Sequence, residues 1–225
     1  MNKQRKTQLI SYFIREIVIV IIGIFIAFQL NNYSENRKTK NKEIKSLKRL
    51  MSDLETEKKI LEHYKNNFNR KSKKLEDIIY NENNKNLDSL YLYVAEEYIH
   101  YNFNTEYSSL KFSGNLDIIS NDSLRYNLVK YYELGYSYYK EISKNHKNFV
   151  ENDLIEYLNK NVKIDSSYLY NPLIIKEKLK DEEFKQYIKS QIMYYKLNTR
   201  TYKIDMLEKL INDISNNIKT NANTV

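Results

Sequence analysis

Residues Tyr12 to Ser34 read YFIREIVIVIIGIFIAFQLNNYS, set in a chain that is otherwise rich in lysine and asparagine. From Tyr12 to Leu30 there are 19 residues, and the only ionised ones, Arg15 and Glu16, stand near the start. As a helix they reach about 28 Å, close to the hydrocarbon thickness of a bilayer. Ile17 to Phe28 is apolar on every side, whereas a helix packed on a soluble core needs a polar face. The stretch therefore reads as a membrane anchor, 12–33, behind a short basic tail, 1–11. The basic start Lys3, Arg5, Lys6 would suit a cleaved leader, but Ala27-Phe28-Gln29 lacks the small residue pair that signal peptidase requires, so the anchor is expected to stay attached.

Both flanks of the span are positive: Lys3, Arg5, Lys6 and Arg15 before it, Arg37, Lys38, Lys40, Lys42 and Lys45 after it. Long domains translocate largely regardless of charge, and the leading cations begin at the apolar boundary. The arrangement expected is N-terminus inside and following domain outside. Gly23 and Ala27 form a small-xxx-small pair through which two such helices could approach, although lipid alone accounts for a single pair of this kind. A second copy or a protein partner thus stands beside the bilayer itself as an expected contact.

The chain has 225 residues with Gly 3, Pro 1 and Cys 0, so there are few turn-makers, no disulfide framework and no thiolate chemistry. The net charge of +8 and the 22 Tyr suggest phosphate neutralisation and base stacking. Against that, the cations are interspersed with 29 carboxylates and no groove-reading motif is present. Nucleic acid is disfavoured. Attraction of the Arg37 to Arg49 segment to anionic headgroups is the milder alternative.

Beyond the span, Leu47, Leu54, Leu61, Phe68 and Leu75 recur at an interval of seven, with Ile44, Met51 and Ile79 on a flanking position. Lys58, Lys65 and Ser72 occupy that flanking position mid-helix, so the stripe is too narrow for a dimeric coiled coil and calls for packing on its own domain. No Gly or Pro lies between Leu30 and Ile79, so the anchor is expected to run directly into a stalk helix, 34–81. "NENNKN" at Asn81 to Asn86 ends it. "LDSLYLYVAEEYIHY" then reads as a second helix with Leu90, Val94 and Tyr98 inward, opening a middle helical region, 87–160.

Thr105 can cap a short helix through Phe112, Gly114 suits its left-handed stop, and Asn121 or Asp122 can cap the next helix. That helix, from Asp122 to about Asn159, carries Leu124, Leu128, Tyr131, Leu134, Tyr138, Ile142, Phe149 and Leu158 as its apolar set. Pro172 suits a first helical turn and holds Asn171 extended. A last helix then begins near Asp181 and carries Phe184, Ile188, Ile192, Tyr195, Tyr202, Leu207, Leu210, Ile214 and Ile218, within a C-terminal region 173–220; 221–225 reads as a frayed tail. Such helices, apolar on one side, are expected to close an up-and-down bundle, 34–220, with many tyrosines at its edge, rings in and hydroxyls wet.

The chemistry-bearing motifs are missing. His63, His100 and His146 lie far apart; Glu97 and His100 make one E-x-x-H where a di-iron bundle needs two, so no metal ligand set and no cofactor is expected. No glycine-rich phosphate loop, G-x-S-x-G elbow or cysteine nucleophile occurs, and Asp and Glu on lysine-rich helices are usually solvated partners of i+4 cations. The expectation is a protein without catalytic activity: an interaction, scaffold or sensory module, or a helical sensor for a small ligand.

The segment REIVIVIIGIFIAFQLNNYSENRK resembles the N-terminal signature of a bacterial family of small single-span proteins catalogued as domain-of-unknown-function family 6090. Glu16, Gly23, Ala27, Gln29, Asn31, Asn32 and Glu35 match it. Arg15 departs where a small residue is usual, and Tyr33 stands where the family prefers Trp. In TEYSSLKFSGNLDIISNDSLRYNLVKYYE, the Ser113-Gly114-Asn115-Leu116 turn and Ile119-Ser120-Asn121 are similar to the family's middle motif. The resemblance covers about 55 residues. It implies a single-pass protein of the bacterial inner membrane, all-α, with no established reaction. It also singles out Glu16, with Arg15 as its partner, as an interfacial anchor, and Gln29 and Asn31 as candidate polar contacts to another membrane helix.

Overall fold

The helix that begins at Lys3 does not end until Tyr80. This computed structural model describes residues 3–80, 93–96, 98, 100–164 and 170–222, with side chains from Arg15 on and without that of Pro172. Helix α1 (Lys3–Tyr80) includes residues 3–11, expected to be a tail; nothing from Lys3 to Ser11 breaks a helix. Near its N-terminus it is long and apolar enough to cross a membrane, by length and composition. Ile17 to Leu30 are exposed on all sides, whereas Leu47, Leu54, Leu61, Phe68 and Leu75 are all buried.

Of the second helix expected from Leu90 through Tyr98, Tyr93 and Val94 are helical, but the helix does not continue through Tyr98. Leu90 lies outside the described residues, and from Ala95 to Asn104 the described backbone is an irregular strap without helix. Helical spacing holds only for Val94, which is helical and buried; Tyr98 is buried too, but on the strap rather than on a helix face. Helix α2 (Thr105–Phe112) follows, and Gly114 stops it with φ 70°. Thr105 is not its cap. Asn104 holds that position without a side-chain bond, and the carboxylate of Asp53 on α1 accepts the Glu106 N–H at 3.0 Å instead.

A 3-10 turn (Leu116–Ile118) leads to helix α3 (Asp122–Lys130), capped by Asn121, whose side chain accepts from Leu124 N–H at 3.0 Å. The run expected to be one regular helix then contains two π turns. Tyr131–Gly135 separates α3 from α4 (Tyr136–Asn148), and Phe149–Leu154 separates α4 from α5 (Ile155–Asn161). Each π turn inserts a residue's worth of rotation. That is why Leu134 and Tyr138, expected inside, are exposed, while Tyr132, Tyr136 and Tyr139 are buried.

Asn171, extended at ψ 116°, caps helix α6 (Pro172–Lys178), and Asp181 caps α7 (Glu182–Thr201). The expected single C-terminal helix breaks at Tyr202, where ψ is 111°, before α8 (Ile204–Ala222). The break is held: Tyr202 is buried, and Lys203 N–H donates to the Tyr139 hydroxyl at 2.9 Å.

Helices α7 and α8 both pack on α1, and the ion pairs Lys196–Glu76 and Lys58–Glu208 show that they run antiparallel to it. Helix α4 packs on α7, and α3 on α8. The fold is all-helical: among the described residues there is no strand, only the isolated bridge of Ile164 with Tyr170.

Candidate functional site

One face of α1 carries a second interval of seven beside the leucine stripe: Glu43, Leu50, Glu57, Tyr64 and Lys71. Glu43, Glu57 and Lys71 are 3%, 0% and 4% exposed. Charged groups this deep are costly unless each is partnered. Glu43 accepts both the N–H and the hydroxyl of Ser120, each at 2.8 Å. Lys71 donates to Glu96 on the strap. Glu57 accepts from the hydroxyls of Tyr131 at 2.7 Å and Tyr136 at 2.6 Å.

The first π turn makes the Glu57 site. Five residues of a regular helix advance about 500°, which would set Tyr131 and Tyr136 about 140° apart. A π turn closes its hydrogen bond between i and i+5, so residues five apart stack on one side. Both hydroxyls therefore reach one carboxylate. The groups facing Glu57 are Asp53 on α1 and tyrosines 131, 132, 136, 139 and 98. None is a cation. Burial pushes the Glu57 carboxyl up to about 7, against the pull of the two hydroxyls and with help from Asp53. Burial also holds Tyr131, Tyr132 and Tyr136 far above the ordinary phenol range and Tyr139 up to about 12, so these phenols remain protonated donors.

The strap is tied to the same layer. Backbone polar groups away from water need partners, and here side chains from the helices supply them. The Tyr195 hydroxyl donates to Tyr93 O at 2.9 Å, Gln191 Nε2 to Glu96 O at 2.8 Å, and Ser143 Oγ to Tyr98 O at 2.8 Å. His100 N–H donates to Ser143 Oγ at 3.2 Å, and Phe103 N–H to the Tyr136 hydroxyl at 3.0 Å. Tyr136 thus links the strap backbone directly to Glu57. Because Gln191 Nε2 is committed as donor, its Oε1 must accept from His146 Nε2 at 2.9 Å, which fixes that tautomer. Burial lowers both His100 and His146 to about 4, so both imidazoles are neutral near pH 7.

Among the described residues nine of the 22 tyrosines are buried, and several of their hydroxyls are bonded inside rather than wet, contrary to the edge placement expected. The hydroxyl of Tyr132 is buried with no partner among the described residues. Sequence reasoning missed Glu43, Glu57 and Lys71 because it treated charges on α1 as solvated. Their shared heptad position with Leu50 and Tyr64 was the available signal.

The residues singled out from sequence fall elsewhere. Arg15, Glu16, Gly23, Ala27, Gln29, Asn31 and Tyr33 are exposed along α1, with Asn32 half-buried. Ser113 Oγ donates to Ser109 O at 2.7 Å and accepts from Asn115 Nδ2 at 2.9 Å, while Asn121 Nδ2 donates to Asn217 Oδ1 at 3.0 Å; these residues shape turns and join them to α8. None touches the Glu57 layer. Glu97 lies outside the described residues, and Glu96 and His100 lie on the strap rather than on a helix face. Among the described residues no group of His, Cys, Asp and Glu is placed to hold a metal.

A cleft of about 420 Å³ opens where α1 meets the 3-10 turn and the end of α8, lined by Tyr33, Arg37, Lys40, Glu43, Asp117 and Asn221 among others. Chemically, the arrangement is a buried proton-accepting carboxylate wired by hydroxyls to a backbone strap. No protein-family model, curated protein or solved structure matches the chain.

Proposed function

We propose that this chain is a membrane-anchored helical interaction or sensory module without catalytic activity. Its helices form an up-and-down bundle mounted on a single span, with the N-terminus cytoplasmic and the bundle outside the inner membrane of a bacterium. The observation that carries the reading is the two-part character of α1: exposed and apolar all round from Ile17 to Leu30, then buried along one stripe from Leu47 to Leu75, with no break in the helix. An uncovered apolar surface of that size marks an interaction site, and its length suits lipid. The continuous rod would carry a displacement of the buried lane toward the span, or the reverse. The resemblance to family 6090 belongs to the same proposal, since it implies attachment and no reaction.

The test is truncation. The full chain should stay with membranes through alkaline extraction, while a chain lacking residues 1–33 should be soluble, helical and cooperatively folded. Release of the full chain, or a molten or aggregated truncation, contradicts the reading. Matched reporters fused at Val225, one active only outside the cytoplasm and one only inside, test sidedness.

A further inference from the structure

Where α1 leaves the apolar stretch, its charges are sorted by face. Between Ser34 and Arg49 there are seven cations and two carboxylates. Successive helix residues turn by about 100°, so Arg37, Lys38, Lys42, Lys45, Lys48 and Arg49 fall within an arc of about 140°, roughly opposite the arc of Glu43, Ser46, Leu47 and Leu50. The first group is exposed and the second is buried against the domain. Lys38 pairs with Glu35 at 2.9 Å and Arg49 with Glu106 at 3.0 Å. Arg37, Lys42, Lys45 and Lys48 make no ion pair among the described residues. The opposite side of the rod at this height is occupied by the 3-10 turn and the end of α8, whose cleft Arg37 borders at the edge of the basic arc, so the face centred on Lys42, Lys45 and Lys48 is the one left open.

We propose that this face docks on anionic lipid headgroups, so that α1 leans basic side down with the helical domain carried on its upper side. The inference rests on the anchored reading above. Along the axis, Arg37 lies about 10 Å beyond Leu30, Lys42 about 18 Å and Lys48 about 27 Å. The polar layer of a bilayer is only about 5–7 Å deep on each side, so a rod standing upright leaves the upper cations beyond it. Membrane helices tilt by about 20° on average and up to about 40°, and a lean toward the basic face brings successive cations down to the headgroups, where lysine and arginine stems extend along the surface. Lipid fits better than nucleic acid because the stripe starts about 10 Å from the end of the span. Residues 34–49 also contain no aromatic side chain on which a base could stack.

The chain has no cysteine, so single labels are clean. A fluorophore on Asn41→Cys, within the basic arc, and one on Asn152→Cys, exposed on the second π turn, are read in the full chain. The chain is reconstituted into vesicles of phosphatidylcholine, with or without phosphatidylglycerol, carrying a headgroup-linked quencher. Quenching at position 41 should rise about twofold or more with phosphatidylglycerol, and return to the neutral-vesicle value in 1 M salt, where screening shortens to about 3 Å. It should also return in a K42E/K45E/K48E variant, while position 152 does not respond. Equal quenching at position 41 in both vesicles overturns the proposal, as does a response to added duplex DNA but not to phosphatidylglycerol. A chain that fails to co-float with either vesicle overturns the anchored reading and this one with it. A chain that co-floats with both, without the differential quenching, overturns the docking alone.

Discussion

Replacing Glu57 by glutamine should change how stability depends on pH more than it changes the fold. The folded carboxyl sits near 7 against an ordinary value of 4.5, a difference of roughly 2.5 units, or about 3 kcal/mol. Between those two pH values the folded chain holds a proton at Glu57 that the unfolded chain has released. The contribution of Glu57 is therefore fully present below about pH 4.5 and is lost as pH rises to 7. His100 and His146, lowered to about 4, act in the opposite sense: their neutral folded forms favour stability that grows as pH rises from about 4 to 6.5. The wild-type profile mixes these terms, so the informative quantity is the difference between wild type and E57Q. Relative to E57Q, wild type should lose about 3 kcal/mol on going from pH 4.5 to 7.5, most of it between pH 5 and 7. With no tryptophan and 22 tyrosines in the chain, denaturant titrations of the detergent-solubilised protein can be followed by tyrosine emission. Parallel profiles for the two proteins would refute a buried, high-lying Glu57.

Three individual contacts give further expected outcomes. Ser143→Ala removes both the donor to Tyr98 O and the acceptor of His100 N–H, and should cost about 1–3 kcal/mol, with faster hydrogen exchange at the His100 amide than at α4 amides. Tyr132→Phe deletes a buried hydroxyl without a partner among the described residues, so it should be neutral or stabilising by up to about 1 kcal/mol; a loss of more than that in thermal unfolding would reveal a missing bond. Gly114→Ala meets no neighbouring atom but must hold φ at 70°, so a cost of about 1 kcal/mol in denaturant unfolding is expected from strain alone.

The heptad leucines of α1, the cap at Asn121, the helix start near Asp181, Pro172 and the Gly114 stop were readable because each rests on local rules: period, capping and backbone preference. The strap, the π turns and the break at Tyr202 were not, because each is held by partners distant in sequence. Ser143 and Gln191 hold the strap, Glu57 draws in Tyr131 and Tyr136, and Tyr139 takes the Lys203 N–H. Tyr98 satisfied helical spacing while its backbone carbonyl found its hydrogen bond in the Ser143 side chain of another element. Glu57 was hidden for a related reason: its surroundings are tyrosines that follow it by 74 and 79 residues, and only tertiary contact turns a surface residue type into a buried one.

The continuity of α1 from the apolar stretch into the packed domain is the claim on which the rest depends. A spin-label distance measurement between Gln29→Cys and Lys48→Cys, both exposed positions, in the full chain in bilayers tests it directly. A single narrow distribution near 28 Å, the axial rise of 19 residues at about 1.5 Å each, is the predicted result. A broad distribution, or one centred well below that length, would mean that the chain bends between span and domain, and would contradict the rod.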